Sequence, residues 1–471
     1  MNATATTLRG FAPRSSVGGG DPNGLAGSWG AALLLLLLAA APLPNGCVDP
    51  QWRAGYAGIL CALGCAALAT LALRGTRLSL SPGTVPLLLL VLLAMLQVLP
   101  WRESLDATTR EVLGVDTVRS CSLIPARTLS RARELLALLV VFVLGSVLLA
   151  DARRMHRAAW TLLLVGTVAA VDFLAHPFLE IVPNCAAPAG ERPLTRHVFG
   201  TYLNRNHLAA LFVMAILAGV GLVVSRGKVL NHRAPDYARR QTYVVAMLLV
   251  LGAALLRSGS RGAVLGLLVG LATFAFLLGR RRPIRHRAAR LLATAGCVGL
   301  VAAALPDELW ARFATLGEQM STDGTRLLLW RSALLLFARF PLLGCGFGTY
   351  ADLSALTQVP EVRGHIAHAH CDPLELMVEG GVVGVQLVAG GMLVVGAHLL
   401  RRTRAARGDR RTFLACGFTA ALAALGAHAT VDFDLQIPAL ALWAAALGGA
   451  ASGAMARAHA LPAVGATAPA W

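Results

Sequence analysis

Arginine, histidine and amide side chains that could act on a phosphorylated substrate occur in four short clusters. Arginine offers planar donors that match phosphate oxygens, and histidine accepts a proton from a hydroxyl near neutral pH. The combination predicts a site that binds an anionic group and activates a hydroxyl beside it. The clusters are Asn204-Arg205-Asn206-His207, Ser258-Gly259-Ser260-Arg261-Gly262, Arg326, and His370 with Asp372.

Each cluster also has a purely structural interpretation. Arg261 could lie at a membrane boundary with its charged head in water, and Arg326 could anchor a helix at that boundary. His370 could be a capping or solvated loop histidine. Residues 204–207 could form the polar start of a helix. The sequence leaves these alternatives open.

Two more groups of polar residues stand near helix ends. His428, Asp432 and Asp434 precede Pro438, and the two aspartates could join the site or be solvated turn residues. A histidine-rich stretch could suggest a metal centre, but its spacing matches no closed zinc pattern. We therefore expect no metal and no cofactor. That stretch contains His365, His368, His370, Cys371 and Asp372.

The composition is that of a protein with many membrane-spanning helices. Of 471 residues, 56% are hydrophobic and 14% are charged, whereas a soluble domain has about 25% charged residues. We predict an all-α polytopic membrane protein with about twelve transmembrane helices. Apolar runs long enough to cross a bilayer fall near 27–44, 54–73, 84–100, 134–150, 158–175, 206–225, 242–257, 262–279, 291–305, 374–400, 412–430 and 436–456.

The net charge of +18 does not indicate a nucleic-acid partner. Lys and Arg concentrate in short loops between apolar runs, as the positive-inside rule requires of cytoplasmic loops. Alternate crossings then place both termini in the cytoplasm and the loops 101–133, 176–205 and 306–373 on the opposite side. The predicted organisation is a cytoplasmic tail at 1–26, transmembrane helices 1–9 over 27–305, a large periplasmic loop at 306–373, helices 10–12 over 374–456, and a disordered cytoplasmic tail at 457–471. We expect the first helix to be retained rather than cleaved as a signal peptide.

The loop 306–373 contains an apolar segment that is too interrupted to cross the bilayer. Leu327 to Leu343 includes two arginines and ends at a proline, which predicts a helix lying at the outer interface. Asp372, Pro373 and Glu375 then match a capping box with proline at the first helical position. His370 is thereby predicted just ahead of a helix N-terminus, where phosphate binding is favoured.

Cysteine usage gives one possible cross-link. Cys121 and Cys185 both fall on the predicted outer face, which is oxidising in a bacterium. A disulfide between them is conceivable, although the sequence does not fix the pairing.

All four clusters lie at the predicted outer ends of spans, which suits a substrate with a diphosphate head and an apolar tail. At these residues the chain resembles the O-antigen ligases and the related Wzy-type polysaccharide polymerases. The resemblance covers about residues 200–440. The matching features are Thr201 to Ala209, Ser260-Arg261-Gly262, Arg326 with Trp330, Pro341 to Gly346, His370 to Glu375, Glu379 to Gly384, and Asp432 to Pro438.

The resemblance implies a GT-C-like glycosyltransferase of the bacterial inner membrane whose active site faces the periplasm. Such enzymes transfer a glycan from undecaprenyl diphosphate, with inversion and without metal. The acceptor is lipid A–core for a ligase and a lipid-linked glycan for a polymerase; membrane lipids are the other expected partners. By motif, Arg261 and Arg326 would bind the diphosphate and His370 would activate the acceptor hydroxyl. We expect the remaining substrate-binding side chains to be Asn204, Arg205, Asn206, His207, Ser260, Asp372 and Glu379.

The chain differs from the family pattern at two residues, and two other functional classes stay open as alternatives. The family often has Asn after this histidine and an aromatic residue after the aspartate, where this chain has Cys371 and Pro373. A transporter or flippase of lipid-linked or polar substrates would favour ionisable residues near the bilayer midplane and two similar halves. Here the charges lie at span ends and the halves look unalike. A structural membrane protein would use the long outer loop as a docking surface.

Overall fold

The computed structural model describes residues 25–73, 80–100, 120–176, 179–181, 196–226, 235–279, 325–362, 366–405 and 409–457. This part of the chain is almost entirely helical. The helices are α1 Leu25–Ala40, α2 Pro50–Leu73, α3 Thr84–Val98, α4 Pro125–Leu148, α5 Ala152–Ala175, α6 Arg205–Arg226, α7 Pro235–Ser258, α8 Arg261–Gly279, α9 Thr325–Arg339, α10 Asp372–Ala405, α11 Arg410–Ala429 and α12 Pro438–Arg457.

The predicted spans coincide with these helices, except for 291–305, which lies outside the described residues. Among the helices described, eight are long and apolar enough to cross a membrane, while α1 and α3 are apolar but shorter. The chain is therefore a polytopic membrane protein. The total of about twelve spans stays a prediction, as do the boundaries of the periplasmic loop and the two tails.

The predicted all-α fold class is confirmed, and the described residues add one short pair of strands. Strands β1 Leu179–Ile181 and β2 Arg196–Val198 pair antiparallel, with Leu179 opposite Val198. They fall in the predicted outer loop 176–205, where no continuous apolar run forces a helix. Cys185 lies between them, outside the described residues, so the proposed Cys121–Cys185 disulfide also stays a prediction.

Small residues let the buried helices approach closely. Helix α11 packs between α6 and α8, and α12 packs along α4. A Cβ atom added to Gly266 of α8 would lie 2.8 Å from the Ala424 carbonyl oxygen of α11. A Cβ atom on Gly145 of α4 would lie 2.7 Å from the Ala446 oxygen of α12. Such contacts are typical of helices associating in lipid.

Helix α9 corresponds to the predicted interfacial helix but begins and ends earlier, at Thr325 and Arg339. Its Trp330 indole nitrogen donates a hydrogen bond to the Ala369 carbonyl oxygen at 3.1 Å. Buried leucines of α9 pack in one apolar cluster with Leu374 and Val378 of α10. The contacts hold α9 against the segment that carries His370.

Helix α10 is interrupted near its start. Gly381 has φ 63° and ψ −167°, a backbone conformation that other residues rarely adopt. The interruption exposes the amides of Val382 and Val383, which donate to the carbonyl oxygens of Pro341 and Leu342 at 2.9 and 3.2 Å. The turn after α9 is thereby attached directly to α10.

Candidate functional site

Several helix ends meet around one polar cavity of about 290 Å³. Helices α6 and α8 begin there, α9 begins beside it, and α11 ends there. The sequence clusters at 204–207, 258–262 and 326 therefore lie at the same end of the bundle. The cavity is lined by Arg205, Asn206, Gly259, Ser260, Arg261, Gly262, Arg326, His428, Val431 and Asp432.

Three guanidinium groups make the cavity suitable for a polyanion. Arg205 and Arg261 are the first residues of α6 and α8, and Arg326 is the second residue of α9. The start of a helix carries partial positive charge from its aligned peptide dipoles, which adds to the charge of the arginines. The cavity thus combines the planar donors and the helix ends that bind phosphate groups in proteins.

The turn before α8 is fixed by its own serines. The Ser260 amide donates to the Ser258 hydroxyl at 3.2 Å, and the Ala263 amide donates to the Ser260 hydroxyl at 3.3 Å. Ser260 therefore caps α8 while lining the cavity. These hydrogen bonds fix the start of α8 and thereby the position of Arg261, its first residue.

His370 does not line the cavity itself but is joined to it by Asp432. Its Nδ1 atom lies 3.5 Å from the Asp432 Oδ1 atom. The Asp432 Oδ2 atom accepts a hydrogen bond from the Asn206 amide at 2.7 Å. His370 has φ 51°, a sparsely populated conformation for a residue with a side chain. Its ring stands edge-on to Phe433, with the two centroids 4.8 Å apart.

The surroundings of Asp432 stabilise its charged form. Burial alone would raise the pKa of this carboxyl, but the contact with His370 and the nearby His207 and His428 outweigh burial. The net effect is that its pKa lies well below the ordinary value. Asp432 therefore supplies a negative charge between His370 and the arginine-lined cavity.

Asp434 holds two further imidazoles. Its side chain is fully buried, with Oδ1 lying 2.9 Å from His207 Nδ1 and Oδ2 lying 2.8 Å from His428 Nδ1. Phe433, between the two aspartates, stacks on the His368 ring at 4.1 Å. The alternative that Asp432 and Asp434 are solvated turn residues was wrong, because their side chains are 1% and 0% exposed.

The predicted site residues fall into two groups by position. The Asn204 side chain accepts a hydrogen bond from the Asn206 backbone amide at 2.8 Å and lies 3.3 Å from His207 Nε2. Asn204 and His207 therefore contact each other and do not line the cavity. Asn206, Arg205 and Ser260 line the cavity with Arg261 and Arg326, and His370 joins them through Asp432. Their functional roles stay predictions.

Asp372 and Glu379 are not cavity-lining residues in the described part of the chain. The Asp372 carboxylate accepts the Leu435 amide at 2.8 Å, and the Glu379 carboxylate accepts the Tyr350 amide at 3.0 Å. The predicted capping box was also wrong, since Glu375 accepts the Ala369 amide at 3.1 Å. Tertiary backbone partners replaced the local ones, so the geometry gives these three carboxylates structural contacts.

Sequence reasoning noted His428, Asp432 and Asp434 near helix ends but did not include them among the predicted site residues. The signal that could have found them was the pair of aspartates around Phe433, set between a histidine-ended helix and Pro438. As to metal, no group of three or more His, Cys, Asp or Glu side chains within the described residues is arranged to hold a metal ion. His365, one of the possible ligands, falls outside those residues.

Comparison with known proteins gave one result. A family model described as O-antigen ligase matches residues 245–389, less than a third of the chain. The match includes Ser260, Arg261, Arg326, His370, Asp372 and Glu379, but neither the 204–207 cluster nor the aspartates after α11. The search of curated proteins returned no match.

Proposed function

We propose that the chain transfers a glycan from undecaprenyl diphosphate to an acceptor hydroxyl, because residues 245–389 match the O-antigen ligase family model. The acceptor is lipid A–core for a ligase and a lipid-linked glycan for a polymerase. One observation carries the proposal: the arginine-lined cavity and His370 share Asp432. Cations for a diphosphate and an imidazole for a hydroxyl thus lie at one end of the bundle.

The donor diphosphate binds at Arg205, Arg261 and Arg326. During transfer the bond between the anomeric carbon and the diphosphate oxygen breaks, and its electron pair stays on that oxygen. Negative charge therefore grows on the departing group, and fixed cations stabilise the transition state more than the bound donor. The reaction uses no metal in this scheme, because the guanidinium groups provide the positive charge.

His370 acts on the acceptor. Its imidazole takes the hydroxyl proton as the acceptor oxygen bonds to the anomeric carbon on the face opposite the leaving group, which inverts the configuration. Asp432 stabilises the resulting imidazolium, because its carboxylate lies 3.5 Å from His370 Nδ1 and is held ionised. Two adjacent subsites, for donor and acceptor, follow from this division.

The proposed location is the bacterial inner membrane, with the cavity open to the periplasm. The charge distribution of the loops supports this orientation, since the positive loops would then face the cytoplasm. Lipid-linked donors place their diphosphate at the headgroup level, which is the depth expected for helix ends rather than the bilayer midplane.

The function is tested by comparing the surface glycans of a deletion strain with those of the same strain complemented with the intact gene. The results below refer to the deletion strain. Loss of all attached polymer from the surface glycans is the result expected of a ligase. Retention of a single attached repeat is the result expected of a polymerase. Unchanged surface glycans would overturn the proposal and return attention to a transporter. Complementation with an Arg261→Ala variant should not restore the surface polymer that the deletion removes.

A further inference from the structure

His428 is the one imidazole among the described lining residues of the arginine-rich cavity. It lies in the last turn of α11, and its side chain is 3% exposed. The scheme above gives it no task. Its two ring nitrogens face different surroundings, and those surroundings indicate what it could bind.

The Nδ1 side of the His428 ring faces protein. This atom lies 2.8 Å from Asp434 Oδ2, in a carboxylate that is completely buried. A carboxylate at that position favours a proton on Nδ1, which directs the remaining nitrogen, Nε2, to the other side of the ring.

The Nε2 side faces the start of α8. A Cβ atom added to Gly262 would lie 2.8 Å from His428 Nε2 and 2.5 Å from Cδ2. Gly262 itself lines the cavity next to Arg261. The missing side chain at Gly262 therefore leaves the imidazole edge in direct contact with the turn where an anion would bind.

His207 provides an internal comparison because it shares Asp434. The Asn204 Oδ1 atom accepts the Asn206 amide, which orients the Asn204 side chain so that its NH₂ group lies 3.3 Å from His207 Nε2. Both ring nitrogens of His207 therefore have protein partners. His428 has the same carboxylate near Nδ1, but its Nε2 lies against Gly262, a residue that lines the cavity.

We propose that His428 is a fourth phosphate-binding side chain of this cavity and that it donates from Nε2 to an oxygen of the bound diphosphate. The inference rests on the proposed function for the identity of the anion. Asp434 is a positioning residue in this arrangement, because it orients His428 without touching the ligand.

The charges that face His428 predict that it binds a proton together with the ligand. Burial of the ring and the nearby Arg326 oppose the imidazolium, whereas Asp434 and Asp432 favour it. Arg261 and Arg205 add positive charge to the same cavity, because they line it too. A diphosphate among the arginines cancels their repulsion. Donation from Nε2 with Nδ1 directed to Asp434 requires the doubly protonated ring, so binding should be accompanied by proton uptake.

The experiment measures binding of undecaprenyl diphosphate to the purified full-length chain in detergent by titration calorimetry. His428→Ala should weaken binding about ten- to a hundredfold, the effect of losing one hydrogen bond to a charged group. His428→Gln should bind more tightly than His428→Ala, since its amide can reach the position of Nε2. The matched control is His398→Ala, near the opposite end of α10, which should bind like the unaltered protein.

Two further arms separate the possible failures. Titrations in buffers of different ionisation enthalpy should show proton uptake by the unaltered protein and none by His428→Gln, a difference that a purely structural role would not produce. If the His428 variants bound the lipid with the affinity and the proton uptake of the unaltered protein, the role of His428 alone would be overturned. Absence of binding by the unaltered protein would overturn the proposed donor, and the role of His428 with it.

Discussion

Two regions at the same end of the bundle carry equally conspicuous motifs but make different kinds of contact. Around the cavity, the partners of Asp432 and Asp434 are side chains: one amide and three imidazoles. At the junction between α10 and the turn after α9, the contacts are mostly to backbone. There the Cys345 and Gly346 amides donate to the Val378 and Glu379 carbonyl oxygens at 3.0 and 3.2 Å.

The two kinds of contact indicate a catalytic region and a structural region. A carboxylate that accepts a backbone amide holds two chain segments together, and the amide does not change its protonation state. A carboxylate beside an imidazole adjusts the charge and orientation of a group that exchanges protons. The cavity is therefore the expected place of catalysis, and the α10 junction is the framework that positions His370 beside it.

The largest effect should come from His370. His370→Ala removes the proposed base, so glycan transfer should fall about 10²–10⁴-fold, whereas the protein should still insert and accumulate. Transfer is measured with purified protein and a lipid-linked donor, and accumulation by immunoblot of membranes. Normal transfer by this variant would remove His370 from the mechanism.

The arginines should follow closely. Arg261→Ala and Arg326→Ala each remove a cation beside the departing diphosphate, which should lower the rate about 10²–10³-fold. Affinity for undecaprenyl diphosphate should weaken as well, in contrast with the His370 variant. Arg339→Ala, at the far end of α9, is the matched control. Unchanged affinity in both variants would indicate that these arginines are membrane anchors.

A smaller effect is expected at Asp432. Asp432→Asn keeps the contact with Asn206 but loses the charge near His370, so the rate should fall about ten- to a hundredfold. The free energy of unfolding of Asp432→Asn should also vary with pH differently from that of the unaltered protein. Because the folded state lowers the pKa of Asp432, its ionisation stabilises the protein above the ordinary carboxyl pKa, and this contribution is lost as pH falls through the lower folded value.

Thermal unfolding in detergent checks that sign. The stability difference between the unaltered protein and Asp432→Asn should be constant near neutral pH and should shrink only below the ordinary value of 3.8. A difference that instead grows in acid would contradict the assignment of charge to Asp432.

The smallest effect on activity is expected at the α10 junction. Glu379→Gln keeps an oxygen that accepts the Tyr350 amide, so transfer should be unchanged. Glu379→Ala leaves that buried amide without its acceptor and should lower the free energy of unfolding by about 1–3 kcal/mol. A large loss of transfer in the glutamine variant at normal stability would move Glu379 into the site and break the contrast between the two regions.

Much of the framework was predictable from the sequence because it depends on local properties. Apolar run length located the spans, so Arg205, Arg261 and His428 could be placed at helix ends. The break in α10 was not predicted, although Gly380-Gly381 was visible, since a helix tolerates glycine unless another segment docks against it. The strands at 179–181 and 196–198 were missed for a similar reason: they are short and pair across an intervening loop.

The sequence by itself determined the membrane class, the positions of most helices and the set of polar residues at their ends. Tertiary structure decided which of those residues meet. Asp432 and Asp434 meet His370 and His207, which lie far away in the chain, whereas Asp372 and Glu379 accept backbone amides. A pattern of residue types records burial and helix ends, but partner choice depends on how helices cross, and that is set by packing among residues far apart in the chain.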